Sequence, residues 1–145
     1  MMVNHPIDPR DRVTMAELRS MVIGTKGSVT GPSADGVTYE KADVAGAGGW
    51  WCRPDDAAPA AILYLHGGAY VVGSVRAYQH FVGQVAARAK VAAFVPEYGL
   101  APKRPFPAAV DDAQASFQGL VEQGFGKIAL AGDSAGGASR WCFCR

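Results

Sequence analysis

Two short stretches hold residue types that could act together on an acyl group. Gly132-Asp133-Ser134-Ala135-Gly136 fits the pattern G-x-S-x-G, in which glycines flank a serine on a strand-to-helix turn too sharp for larger side chains, so that the Ser134 hydroxyl stands clear. In a chain with 18 glycines the bare pattern says little. Its setting adds weight, because an apolar run precedes it and a glycine and alanine segment able to start a helix follows. Upstream, His66-Gly67-Gly68-Ala69 closes another apolar run, and its small residues would let backbone N–H groups converge on a developing negative charge. The amides of Gly67, Gly68 and Ala135 are therefore the expected donors to the oxygen of a tetrahedral intermediate, formed when Ser134 attacks an acyl carbon.

Such groups need a rigid scaffold, and the chain from Ala60 onward spells one. AAILYLH (60–66) is a continuous apolar run, as expected for a parallel strand covered on both faces. Tyr78, Phe81, Val82, Val85 and Ala89 then recur at helical spacing over residues 77–90, and VAAFVPEY is a second buried strand. Val110, Ala113, Phe117, Leu120 and Val121 mark another helix ending near Gly124, and KIALAGDS is a third strand entering the glycine-rich turn. Strand, helix, strand, helix, strand predicts a parallel α/β sheet with right-handed crossovers, whose ligand lies beyond the carboxyl ends of the strands. Ahead of it, Thr14 and Glu17 are spaced as a capping box for a short helix ending at Gly24, residues 27–36 read as loop, and residues 37–44 and 49–53 as a hairpin at a sheet edge. Three segments are expected: 1–58 with the helix and edge strands, 59–139 as the α/β core, and 140–145 as an aberrant tail.

The whole chain has 145 residues, one domain at most at roughly 150 residues per domain. With 49% hydrophobic residues it can close a core. A net charge of +1 without like-charge runs offers no field for nucleic acid or anionic membranes. The longest apolar run, residues 57–65, contains Pro59 and falls far short of the roughly 20 residues that span a bilayer. The first residues lack the basic start and apolar stretch of a secretory signal, so a cytoplasmic location is expected. Cys52, Cys142 and Cys144 are too few, and odd in number, for a disulfide framework, and they read as reduced thiols.

Other titratable residues have plain explanations. His66, at a strand end, reads as a hydrogen-bonded structural histidine rather than a base. His5 and His80 read as solvated. Asp111 and Asp112, near a helix start, favour the macrodipole. Asp133 faces the wrong way to serve as a triad acid. Cys142 and Cys144 fall short of a four-ligand metal site.

In order along the chain, HGGAYVVGS, EYGLAPKRPFPAAVDDA and AGDSAGG resemble the three signature blocks of the hormone-sensitive-lipase-like family of α/β-hydrolases, many of whose bacterial members are carboxylesterases. The likeness covers about residues 60–137. It implies an α/β-hydrolase fold, a mostly parallel sheet with flanking helices, truncated after the nucleophile elbow. It also implies hydrolysis of small carboxylic esters or lactones through an acyl-serine, with no metal or organic cofactor. By matching position, Ser134 is the nucleophile, Gly67, Gly68 and Ala135 are the oxyanion donors, Tyr98 begins a structural turn (98–107) beside the site, and His66 is structural.

The chain departs from that family at three places. Gly99 stands where the family usually has Arg and Lys103 where it usually has Glu, so the ion pair bracing that turn is expected to be missing. After Ser134, residues 135–145 contain no Asp, Glu or His, whereas the fold supplies an acid and then a histidine after the serine. The triad acid and base are absent from this chain, and without a base the serine is a weak nucleophile. The expectation is a truncated or frameshifted, inactive form whose native frame ends near residues 137–139. The alternatives are a non-catalytic small-molecule binding module on the same fold, or a half-enzyme complemented by another chain. The strand over 127–132 would expose an apolar edge open to self-association or to such a chain.

Overall fold

The computed structural model describes residues 31–139 and residue 143. The expected N-terminal helix, His5, Cys142 and Cys144 lie outside them. Two strands, β1 (Val37–Val44) and β2 (Ala47–Pro54), form an antiparallel hairpin. Its two-residue turn places Ala45 and Gly46 at φ 54° and 82°, the left-handed conformation that matches the twist of the flanking strands. Then follow β3 (Ala58–Leu65), α1 (Val75–Ala89), β4 (Val91–Pro96), α2 (Ala108–Glu122), β5 (Ile128–Gly132) and a short α3 (Ser134–Ser139). α1 begins at Val75, two residues before the apolar periodicity suggests, because Ser74 caps it, its hydroxyl accepting from the Ala77 N–H at 3.3 Å.

The five strands form one sheet in the order β1-β2-β4-β3-β5. β3 pairs in parallel with β4 and β5, while β2 pairs with β4 antiparallel, so the sheet is mostly parallel with an antiparallel edge. The hairpin thus shares one sheet with the α/β strands, across the segment boundary drawn near residue 58. β3 is central and buried from Ala61 to Leu65, which is why its sequence is apolar throughout rather than alternating. On one face α1 packs Val75, Val82 and Ala86 on Ile62, Tyr64, Ala93 and Val95. On the other, α2 packs Ala113 and Leu120 on Leu63, Leu65, Ala92 and Phe94. Cys52, on the α1 face, donates its thiol to the Gln79 carbonyl at 3.5 Å, and burial pushes its pKa up to about 12.

The chain steps from β3 outward to β4 and then back past β3 to β5. That reversal sets the carboxyl ends of β3 and β5 side by side, with Leu65 opposite Gly132, at the position where open α/β sheets bind ligands. The core holding this frame is tight: Phe94 is fully buried, its ring centroid 5.3 Å from that of Trp51. Phe94→Ala is expected to lower the unfolding free energy by about 3–5 kcal/mol; urea denaturation measures it, and a loss below about 1 kcal/mol would mean the site collapses around the cavity. Among the described residues no helix is long and apolar enough to cross a membrane.

Candidate active site

The turn after β5 carries Ser134 at φ 49°. This left-handed conformation is strained for a residue with a Cβ, at a cost of order 1–3 kcal/mol, and it persists only where the surroundings fix it. Here they do. A Cβ on Gly136 would lie 1.8 Å from the Leu65 carbonyl oxygen and one on Gly132 2.5 Å from the same atom, so both glycines of the motif are required for the turn to close on the end of β3. Ser134 is left exposed and Ala135 buried. As the second residue of α3, Ala135 has an N–H with no partner in its own helix.

The loop after β3 is also strained, with Gly68 at φ 126° and the non-glycine residues Ala69 and Tyr70 at 54° and 60°. Long-range bonds hold it. The Gly67 N–H donates to Asp133 Oδ1 at 3.0 Å. Tyr70 donates its hydroxyl to the Ala135 carbonyl at 2.7 Å and lies 3.0 Å from Ser139 Oγ. Asp133 accepts two further bonds at 3.1 Å, from the hydroxyls of Tyr64 and Tyr78. Burial, and then the Asp133 charge, raise both phenols, Tyr78 to about 12, so both remain protonated donors. Asp133 is therefore a hub between the elbow and the β3 loop. Its hydrogen bonds cross more than fifty residues of sequence, and the only local signal for it is its place in G-D-S.

One expected role changes. The Gly67 amide is committed to Asp133 and is not free to bind an oxyanion. Glycine is needed at 67 for a different reason: a Cβ there would lie 2.3 Å from Asp133 Oδ2. The amides of Gly68 and Ala69 make no hydrogen bond among the described residues, so the unbonded donors of the loop lie one residue further along than the sequence suggests.

His66 is buried and stacks on Tyr98, with centroids 4.3 Å apart and an interplanar angle of 17°. Its Nδ1 lies 2.8 Å from the Gly67 carbonyl, to which it donates, and 3.3 Å from the Tyr98 hydroxyl, which itself donates to the His66 carbonyl. Among the described residues no hydrogen bond joins Ser134 to a histidine or a carboxylate. His66 has no exposed role, and Tyr98 holds the strand end that precedes the loop. Burial lowers the His66 pKa below 6.5, outweighing the opposing pull of the Gly67 carbonyl. As pH falls below about 6.5 the unfolded chain takes the proton first, so stability present above that pH is lost on acidification, by up to about 1.4 kcal/mol per pH unit. His66→Asn is expected to remove this component, which denaturant melts between about pH 7 and pH 5 would detect; an unchanged acid slope would contradict it.

Three further expectations are corrected. The turn over 98–107 is braced after all, because Arg104 forms a two-pronged ion pair with Asp112, one prong at 3.1 Å, and Asp112 also accepts from the Gly99 N–H at 2.8 Å. Gly99 makes room for this arrangement, since a Cβ there would lie 3.0 Å from Arg104 Cβ and Nη1. Asp112 thus bonds the turn rather than serving the helix dipole, while Asp111 sits in the first turn of α2. His80 is half-buried rather than solvated, with its ring 5.5 Å from that of Tyr39.

The chain is similar in sequence and in fold to known hydrolases. A family model described as the alpha/beta hydrolase fold matches residues 62–139. An acetyl-hydrolase of Streptomyces hygroscopicus is 43% identical over 88 residues, covering 59% of this chain and 29% of that protein. An ethyl acetate hydrolase of Pseudomonas putida is 42% identical over 87 residues, covering 56% and 27%. Among solved structures, an esterase/lipase from an uncultured bacterium superposes with a TM-score of 0.78 at 37% identity, over 92% of this chain and 45% of that one. An esterase from the bacterial hormone-sensitive lipase family superposes with a TM-score of 0.74 at 31% identity, over 94% and 44%. The chain spans about a third or less of these curated relatives and under half of these solved structures.

Proposed function

Because the chain belongs to the hormone-sensitive-lipase-like family of α/β-hydrolases, we propose that it is the nucleophile-bearing, amino-terminal part of a serine hydrolase of small carboxylic esters or lactones. The observation that carries this reading is Ser134, exposed at φ 49° between the two obligatory glycines and beside a loop with unbonded amides. In the proposed reaction Ser134 Oγ attacks the acyl carbon and its proton passes to a base. The carbonyl oxygen becomes an anion held by the N–H groups of Ala135, Gly68 and Ala69. Collapse of that intermediate expels the alcohol, which takes up the proton, and leaves an acyl-serine that water hydrolyses. The acid and histidine come from outside residues 1–145, and these residues alone are inactive. β5 supports that assignment, because its outer edge has no partner strand among the described residues and could receive the segment that carries them, or another chain.

The test is hydrolysis of a short-chain chromogenic ester by the 145-residue chain, alone and joined to the carboxyl-terminal part of a solved esterase relative. The chain alone should match the rate of its Ser134→Ala variant, and the joined protein should turn over. A large serine-dependent rate in the chain alone would overturn the missing base, and a joined, folded protein without turnover would overturn the esterase reading.

A further inference from the structure

The nucleophile and the unbonded loop amides each lie between two anchored residues. On the elbow, Ser134 lies between Asp133 and Ala135; on the β3 loop, Gly68 and Ala69 lie between Gly67 and Tyr70. Two long-range bonds join these four anchors: Gly67 N–H to the Asp133 carboxylate at 3.0 Å, and the Tyr70 hydroxyl to the Ala135 carbonyl at 2.7 Å. We infer that Asp133 and Tyr70 are positioning residues, which clamp the β3 loop to the nucleophile elbow at both ends and fix the amides of Gly68 and Ala69 relative to Ser134.

The backbone within this frame makes the clamp necessary. Ser134, Ala69 and Tyr70 hold φ values of 49°, 54° and 60°, conformations that relax unless something over-determines them. The loop has little regular pairing of its own; its internal backbone bonds run from the amides of Val71 and Val72 to the Gly68 carbonyl. Asp133 is itself held by Tyr64 from β3 and Tyr78 from α1, so its carboxylate transmits the position of the sheet and the helix to Gly67. Tyr70 acts in the opposite direction, reaching from the loop to the peptide group of Ala135, whose N–H is the elbow's own donor. The Ala101 N–H to Tyr70 carbonyl bond, at 2.8 Å, steadies the far side of the loop. The value of the frame to catalysis rests on the hydrolase reading, because an anion hole works only if its donors are set before charge develops. The mechanical claim does not.

The test uses the 145-residue chain and no substrate: ¹⁵N relaxation of Gly68, Ala69 and Ala135 in the original chain, Tyr70→Phe and Asp133→Asn. The original chain should give rigid order parameters near about 0.85 at these amides. Tyr70→Phe, which removes only a hydroxyl, should drop Ala69 below about 0.6 while core amides such as Leu63 and Phe94 stay unchanged. Asp133→Asn keeps an amide oxygen able to accept from Gly67 but loses the charge and the acceptor for Tyr78, so it should loosen Gly68 less than Tyr70→Phe loosens Ala69 and speed hydrogen exchange of the Gly67 amide by up to about 10-fold. Should Asp133→Asn fail to fold, Tyr70→Phe decides. Order parameters that stay rigid at Gly68 and Ala69 in the folded variants, or that fall equally in the core, overturn the clamp. Loss of turnover in the joined enzyme of the preceding section bears on the hydrolase reading instead, so the two can fail separately.

Discussion

Gly136→Ala is expected to be the most damaging methyl added to any glycine among the described residues, lowering the unfolding free energy by more than about 4 kcal/mol. The new Cβ would lie 1.8 Å from the Leu65 carbonyl oxygen, 2.5 Å from its carbon and 2.8 Å from the His66 oxygen. All three atoms are backbone at the end of the central strand, so no rotamer change can make room. Either α3 lifts off the sheet or the end of β3 moves, and each parts the elbow from the loop. Gly137→Ala is the control, because its nearest neighbour would be the Gly132 carbonyl oxygen at an ordinary 3.4 Å. That variant should instead be stabilised by about 0.5–1 kcal/mol through the lower backbone entropy of alanine in a helix. Urea unfolding of the three proteins measures the contrast, and similar midpoints for both variants would mean that the elbow is not packed on β3 as described.

The largest expected effect on activity belongs to Ser134→Ala in the joined enzyme, where turnover should fall by at least about 10⁴-fold and by as much as about 10⁶-fold. In the proposed reaction the neighbours of Ser134 cannot replace it in forming the covalent bond, so what remains is the contribution of the proposed anion hole and of binding, roughly a thousandfold over water. In the isolated 145-residue chain the same substitution should leave the ester rate unchanged. Ser134→Gly separates chemistry from strain. It should abolish turnover equally while raising stability by about 1 kcal/mol, since glycine tolerates the φ of 49° that serine holds at a cost. A variant that lost turnover and gained no stability would show that the elbow stores no strain at this residue.

Much of this was legible in the chain itself. The apolar run of 60–66, the helical spacing of Tyr78, Val82 and Val85, and the G-x-S-x-G pattern are all local, and each acts through the geometry of its own few residues. They determine the alternation of strands and helices and the sharp turn that presents Ser134. The edge hairpin was legible for the same reason, since its strand and turn signals lie within one short segment. The resemblance of the three motif blocks added the family, and the matches to the alpha/beta hydrolase fold and to solved esterases bear it out.

What the sequence could not reveal depends on which distant residues meet. The strand order places β3 between β4 and β5, and only that register brings Asp133 within reach of Gly67, Tyr64 and Tyr78. The sequence therefore misassigned Gly67 as a free donor and found no use for Asp133. It likewise saw a missing brace at Gly99, because nothing local announces that Arg104 and Asp112 close the same turn from either side. Periodicity within a segment reports which face of an element is buried, since burial there follows from the repeat of a helix or strand. Hydrogen bonds between segments depend on the rotation and offset with which the elements pack, and a neutral run of small residues such as Gly67-Gly68-Ala69 is compatible with many such offsets. The amino-acid sequence by itself determined which residues could do chemistry and what elements carry them; the tertiary structure alone decided which amides of the β3 loop are bonded and which distant side chains meet them.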